Sequence, residues 1–289
     1  MSDILNEYEI TNRLRKKNLD LDYEVIFKKS TDSTNNDAKK YNGKNNLLIV
    51  SEKQTSGKGR YGRDFYSDNS NGIYFTVKIN RENIDLSIGD ITFFPLIAAV
   101  SVSQAVSSVC NIDLYIKWPN DLLYKLPPSN GAPGSSRPTH ETPLKEGGEN
   151  GGYKKLCGIL TEASIEAETR DVSYVVVGIG LNINNDIKDF PDDIKNTAAS
   201  LNIISGKKYN RAEILCEIVD IFTQFLNTPH ELLLEEYRKK LLIGIDISFA
   251  QNGRKFIGKT VGITKNGNLI VSLENGEEAI IRSGEINFV

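Results

Sequence analysis

Between residues 51 and 65 the chain reads SEKQTSGKGRYGRDF. Gly57, Gly59 and Gly62 alternate there with Lys58, Arg60 and Arg63. Glycine tolerates positive φ and lets main-chain N–H groups approach an anion. Arginine adds a planar fork that matches carboxylate or phosphate. The pattern is not a P-loop, which needs GxxxxGK[ST] and a helix after it. It suits a reaction that brings a carboxylate and a phosphate together. Taken alone, it is equally a solvated basic turn.

Three further strings carry chemistry-bearing residues. In YIKWPNDLL, Lys117, Asn120 and Asp121 sit among apolar strand residues. A carboxylate beside an amide at a strand break suits Mg²⁺ or a ribose hydroxyl; the competing reading is an Asx-type turn with Trp118 in the core. In KKLCGILTE, Lys155 opens a strand and Gly158 follows three residues on. A lysine at a strand mouth neutralises an anion, or is simply an edge charge. In VVVGIGLNIN, the valines mark a buried strand, and Gly178 and Gly180 leave one face without side chains. Such a face is a flat floor for a ligand, or a close contact with a helix. Asn182 shares that face and is a candidate reader of a base edge.

These strings need elements to hold them. A helix is expected over 33–41, with Ser33 or Thr34 as cap. Strands are expected over 47–51 and 72–79, on either side of the cationic loop. A mostly buried helix follows over 91–110. Short strands at 114–118 and 121–124 flank Pro119-Asn120, and longer ones cover 156–164 and 174–183. In the helix expected over 211–226, Ile214, Leu215, Ile218, Phe222 and Phe225 share a face; another helix spans 231–242. From 245 onward, Asn-Gly recurs at 252–253, 266–267 and 275–276 between short alternating runs. That dipeptide is a strong hairpin signal. The fold class is therefore α+β: a mixed-sheet domain over 1–242, helices on one face, then a small SH3-like all-β barrel over 243–289. Residues 126–152 hold five of the nine prolines and six glycines, with little to bury. They are expected to form a disordered insertion within a hairpin.

Composition narrows the function classes. The chain has 289 residues and a formal net charge of -3. A general nucleic-acid binder shows a basic excess. Cys110, Cys157 and Cys216 lie far apart with no CxxC pair, so neither a disulfide framework nor a zinc site is expected. The N-terminal stretch has no signal-peptide character. The best apolar run, 91–102, is too short for a bilayer. A cytoplasmic protein is expected, with no nucleic-acid or membrane partner.

Taken in order, STN, QTSGKGRYGR, KWPND, KLCGILTE and GIGLNIN resemble the biotin protein ligases over about residues 30–204. The resemblance implies ATP-dependent activation of biotin to biotinyl-5′-AMP, with release of pyrophosphate. Transfer to a lysine of a biotin carboxyl carrier domain then follows. It implies ATP and Mg²⁺ beside biotin, and a monomer or homodimer. It also implies a biotin site of Ser33, Thr34, Asn35, Gln54, Gly57, Lys58, Gly59, Arg60, Lys155, Gly158 and Gly178. ATP falls to Lys58, Arg60, Arg63, Phe65, Lys117, Asn120, Asp121, Lys155 and Asn182. Lys155, Arg60 and Asp121 are the implied catalytic groups, with Asp121 near the metal. Lys58 stands where many members have Arg, and Phe65 where bacterial members often have Trp. About thirty residues precede STN, so a ligase without a winged-helix domain is expected. The alternatives are a lipoate or octanoate ligase and a non-catalytic biotin- or nucleotide-binding regulator.

Overall fold

The computed structural model describes residues 3, 5–19, 22–84, 86–127, 152–251 and 253–289. Seven strands form the main sheet: β1 (Tyr23–Lys28), β2 (Asn46–Ser51), β3 (Ile73–Asn80), β4 (Tyr115–Lys117), β5 (Asp121–Lys125), β6 (Tyr153–Ile165) and β7 (Val172–Leu181). Their spatial order is β1-β2-β3-β7-β6-β5-β4. Only β1 and β2 run parallel.

Alternation along these strands separates two cores, because successive side chains point to opposite faces. Leu48 and Val50 of β2 and Val175, Val177 and Ile179 of β7 face the large core. That core is closed by α1 (Glu7–Lys17), α3 (Phe94–Cys110), α5 (Arg211–Leu226) and α6 (His230–Lys240). Leu47, Ile49 and Val176 face the other way and pack on Ala38 of α2 (Thr34–Lys40). The expectation of helices on one face thus holds for the long helices, while α2 covers the other face. Gly178 and Gly180 continue the Val176 face, so the apolar run ends there in bare backbone.

Within the large core, α3 passes the length and composition test for a membrane span once the turn Asp90–Thr92 is included, yet 72% of that apolar window is buried inside the fold. The apolar stretch is longer than 91–102 because it continues along the buried α3. On α5, Ile214, Leu215, Ile218 and Phe222 are buried, as the periodicity requires. Ser33 holds the N-cap position of α2 but makes no capping side-chain bond. The Thr34 N–H is taken instead by Gln54 Oε1, at 2.8 Å. Lys155 is the third residue of β6 and not its mouth, because the strand begins two residues earlier.

β5 and β6 pair up to Lys125 and Tyr153, so the intervening segment is inserted between adjacent hairpin strands. The expected disorder falls on residues 128–151, which lie outside the described residues.

The second sheet contains β8 (Asp246–Gln251), β9 (Arg254–Ile263), β10 (Leu269–Leu273), β11 (Glu278–Ile281) and β12 (Ile286–Phe288), in the order β11-β10-β9-β8-β12. The three Asn-Gly pairs fall between successive strands, with positive φ at Gly253, Gly267 and Gly276. The 266–267 turn also fastens the two sheets together. Trp118 Nε1 donates to the Gly267 carbonyl at 2.8 Å, and a Cβ on Gly267 would lie 2.6 Å from Leu96 Cδ1. At Gly276 a Cβ would meet open space. Each Gly→Ala change forces L-residue strain of about 1 kcal/mol or more. Gly267→Ala should therefore cost more than Gly276→Ala, which thermal denaturation of the two variants will compare.

Candidate active site

Between β2 and β3 the cationic segment folds back on itself. Phe65 N–H donates to the Gly57 carbonyl at 2.8 Å, and Gly59 N–H to the Arg63 carbonyl at 2.7 Å. The tip, Arg60–Gly62, turns through positive φ at Tyr61 and Gly62. Gly57 is required by packing: a Cβ there would sit 2.3 Å from Ser67 Oγ and 2.6 Å from the Phe65 carbonyl.

The hairpin lies over the glycine floor. Gly158 of β6 and Gly180 of β7 are direct cross-strand partners. The Phe65 ring rests on both, 2.4 Å from where a Gly180 Cβ would be and 3.0 Å from a Gly158 Cβ. Asn35 Oδ1 closes over Gly178, 2.2 Å from its would-be Cβ. The edge of Phe65 meets Tyr74, with ring centroids 6.5 Å apart. Glycine is needed here because two aromatic or amide groups pack directly on strand backbone.

Above this floor an open cleft gathers Lys58, Arg60, Arg63, Lys117 and Lys155. Arg60 donates to Asn120 Oδ1 and to the Tyr61 hydroxyl, both at 3.2 Å. The Lys155 ammonium lies 2.8 Å from Asp121 Oδ1. Arg63 forms a two-pronged ion pair with Glu285 of the second sheet, with Nη2 2.6 Å from Oε2. Lys117 Nζ stands 4.9 Å from the centre of the Phe288 ring. Burial pulls the Lys117 pKa below its ordinary value; Asp121 opposes that and nearby Lys155 adds to it. Cations crowded beside low-dielectric walls favour an incoming anion.

At the other end of the cleft stand Ser33, Thr34, Asn35 and Gln54. Fifteen implied site residues line one cleft: these four, the five cations, Gly59, Phe65, Asn120, Asp121, Gly158 and Gly178. Two do not line it. Gly57 is packed within the hairpin against Ser67 and Phe65, and Asn182, just beyond β7, donates one amide N–H to the Ala199 carbonyl at 3.1 Å. Sequence reasoning missed Tyr61, Asp64, Glu285 and Ile286 in the lining. The last two come from the second sheet, and only the docking of the two sheets brings them in.

For a metal, Asp121 is the one carboxylate singled out in the sequence. Among the described residues, no three His, Cys, Asp or Glu side chains group as a metal site. That donor set fits an ion carried mainly by substrate phosphates and touched by one carboxylate, the usual mode for Mg²⁺.

The fold and the cleft define a small-molecule site for anionic substrates on a mixed α+β sheet. Residues 24–182 match the Biotin/lipoate A/B protein ligase family, and residues 242–289 match the biotin protein ligase C terminal domain. The chain belongs to the biotin/lipoate A/B protein ligase family. It is similar to the bifunctional ligase/repressor BirA of Bacillus spizizenii, with 32% identity over 87% of this chain and 69% of that protein. It is 24% identical to the biotin–[acetyl-CoA-carboxylase] ligase of Mycobacterium tuberculosis, over 83% of this chain and 78% of the other. Among solved structures it resembles the Aquifex aeolicus biotin protein ligase in complex with biotin and ATP. That likeness has a TM-score of 0.68 and 26% identity, covering 92% of this chain and 98% of the other.

Two outcomes follow from the geometry. Gly180→Ala should cost about 2 kcal/mol by pushing Phe65 off the floor. Combined with Phe65→Ala it should cost clearly less than the sum, which a double-mutant cycle by denaturant unfolding measures. Lys117→Met should raise stability at neutral pH. The folded state depresses the lysine pKa, so the charged form opposes folding below the folded pKa, and that penalty fades as pH rises toward 10.5. The melting temperature of the variant should exceed wild type at pH 7, and the gap should narrow above about pH 10.

Proposed function

We propose that this chain is a biotin protein ligase that joins biotin and ATP into biotinyl-5′-AMP. It then passes the biotinyl group to a lysine of a biotin carboxyl carrier domain. The observation that carries this reading is the convergence of Lys58, Arg60, Arg63, Lys117 and Lys155 on one cleft beside a neutral polar pocket. An adenylating enzyme must hold two anions against their repulsion, and fixed cations do so at low reorganisation cost.

In the first step a biotin carboxylate oxygen attacks the α-phosphorus, and the bond to pyrophosphate breaks. Lys155 and Arg60 stabilise the charge on the α-phosphoryl oxygens. Lys58 and the Gly59 backbone hold the carboxylate. Arg63 and Lys117 receive the departing phosphates. Asp121 keeps Lys155 extended over the cleft and would hold Mg²⁺, which would supply charge neutralisation for the triphosphate. Ser33, Thr34, Asn35 and Gln54 face the ureido ring. In the second step the lysine amine attacks the acyl carbon, the bond to AMP breaks, and the amine proton leaves to solvent. The hairpin that carries Phe65 shields the mixed anhydride from water. Asn182 donates one amide N–H to the Ala199 carbonyl; its amide oxygen is the group proposed to meet adenine.

The catalytic unit is read as residues 1–242 and the small β unit as 243–289. Ligase activity without repressor activity is part of the proposal. Residues 7–17 form a helix packed on α5 and residues 23–28 pair with β2, so this stretch is built into the ligase fold. A reducing cytoplasmic setting suits the three unpaired cysteines.

Biotin-dependent exchange of pyrophosphate into ATP tests the reading, with lipoate and octanoate run in parallel. Exchange with biotin alone is expected; exchange only with lipoate or octanoate would move the chain to the lipoate branch. Lys155→Ala should cut exchange by about 100-fold or more, with an unfolding midpoint close to wild type because the side chain is half exposed. Unchanged exchange in that variant would remove Lys155 from the mechanism.

A further inference from the structure

Three carboxylates line the cation-rich cleft: Asp64, Asp121 and Glu285. Two of them are paired. Asp121 meets Lys155 at 2.8 Å, and Glu285 meets Arg63 at 2.6 Å. Asp64 is exposed and makes neither an ion pair nor a side-chain hydrogen bond among the described residues. The hairpin sets its place. Lys58 and Asp64 face each other directly as antiparallel partners. The bonds that flank them run from Gly59 N–H to the Arg63 carbonyl and from Phe65 N–H to the Gly57 carbonyl. That pattern makes them the closer, non-hydrogen-bonded kind of pair, and their side chains leave the same face of the hairpin. In the scheme above Lys58 holds the biotin carboxylate, whose carbon is attacked in the second step. Asp64 is thereby placed beside the carbon that reacts in the transfer.

We propose that Asp64 receives the acceptor lysine in the transfer half-reaction. The proposal rests on the biotin reading and deepens it by assigning a partner to the incoming amine. The first step brings anions together, and the five cations of the cleft serve it. The second step reverses the requirement. The acceptor arrives as an ammonium, and its nitrogen becomes positive again as it bonds to the acyl carbon. The surrounding cations oppose both states. A carboxylate at that point stabilises them, and an unpaired one does so without first giving up an ion pair. The ammonium sheds one proton to solvent, and the amine attacks the acyl carbon. The bond from that carbon to the AMP oxygen then breaks, and the nitrogen sheds a second proton to solvent. Asp64 takes no proton in this balance. Toward ATP its charge acts in the opposite sense, by repulsion.

The test measures the two half-reactions separately in the full chain carrying Asp64→Asn. Single-turnover transfer from enzyme-bound biotinyl-5′-AMP to a biotin carboxyl carrier domain should slow about tenfold. Biotin-dependent pyrophosphate exchange should move the other way, with the KM for ATP falling about twofold. Asp64→Glu should keep most of the transfer rate, and Asp64→Lys should slow it further. The side chain is exposed, so all three variants should fold. Slowing should persist when Nα-acetyl-lysine methylamide replaces the carrier domain, because the partner is the amine itself. Slowing with the carrier domain alone would put Asp64 on a protein interface and overturn the proposal, as would unchanged transfer. Weaker exchange with a raised Mg²⁺ requirement would assign Asp64 to the metal. Faster loss of bound biotinyl-5′-AMP to water would assign it to the order of the hairpin. Either result overturns the proposal. Wild type that shows no exchange with biotin overturns the biotin reading and this proposal with it.

Discussion

The pairing of Gly158 with Gly180 across β6 and β7 is the constraint on which the site depends. Both strands must bury Val, Ile and Leu on the large core, so they stay in a fixed register. That register brings two side-chain-free positions side by side on the opposite face. Bare backbone there lets Phe65 lie flat on the sheet, and Phe65 in turn places the hairpin that carries Lys58, Arg60 and Arg63. A slip of one residue would turn the glycines into the core and put Ile179 under the loop. The hydrophobic effect thus fixes the position of cations that take no part in the core.

The cleft holds charge where a stable fold would prefer little. Lys117 is half-buried, and its ammonium is disfavoured there. Arg60 faces an amide oxygen and a phenol and no carboxylate. Compensation is partial and local: Asp121 for Lys155, Glu285 for Arg63. Such pairs exchange readily for an incoming phosphate, since an ion pair near solvent is worth about 1 kcal/mol or less. The other end of the cleft is built differently, from the neutral hydroxyl and amide groups of Ser33, Thr34, Asn35 and Gln54. One ligand segment is met by mobile charge and the other by fixed polarity, as a substrate with an anionic tail and a polar ring requires.

Three of the contacts that join the second sheet to this arrangement differ in kind. Trp118 bonds the Gly267 carbonyl, Phe288 stacks on Tyr153, and Glu285 holds Arg63. The first two are buried packing and hydrogen bonding; the third is an exposed ion pair at the lip of the cleft. The KWPND string therefore serves two purposes. Trp118 anchors the second sheet while its neighbours Lys117, Asn120 and Asp121 face the substrate space.

By itself the sequence determined most element types and the chemical inventory, although α1 and β1 were not read from it. Period-two and helical patterning, Asn-Gly turns and the composition break at 126–152 are local properties, and they placed β2, β3, α5 and the C-terminal hairpins to within a residue or two. The residue types of the loop, and the two glycines of β7, were legible because cations and bare backbone have few other uses together. Tertiary structure alone decided the rest. Asn182 shares the strand face of Gly178 by parity, but it lies past the end of β7 and outside the cleft lining, and one of its amide N–H groups goes to the Ala199 carbonyl. Gly57 reads as an anion contact from its loop, and the hairpin adds a packing reason for it, since Ser67 and the Phe65 carbonyl leave no room for a Cβ. Glu285 carries no signal in sequence, since it matters only when the second sheet docks. Spacing along a chain specifies which groups are available; direction and partnership belong to distances across it.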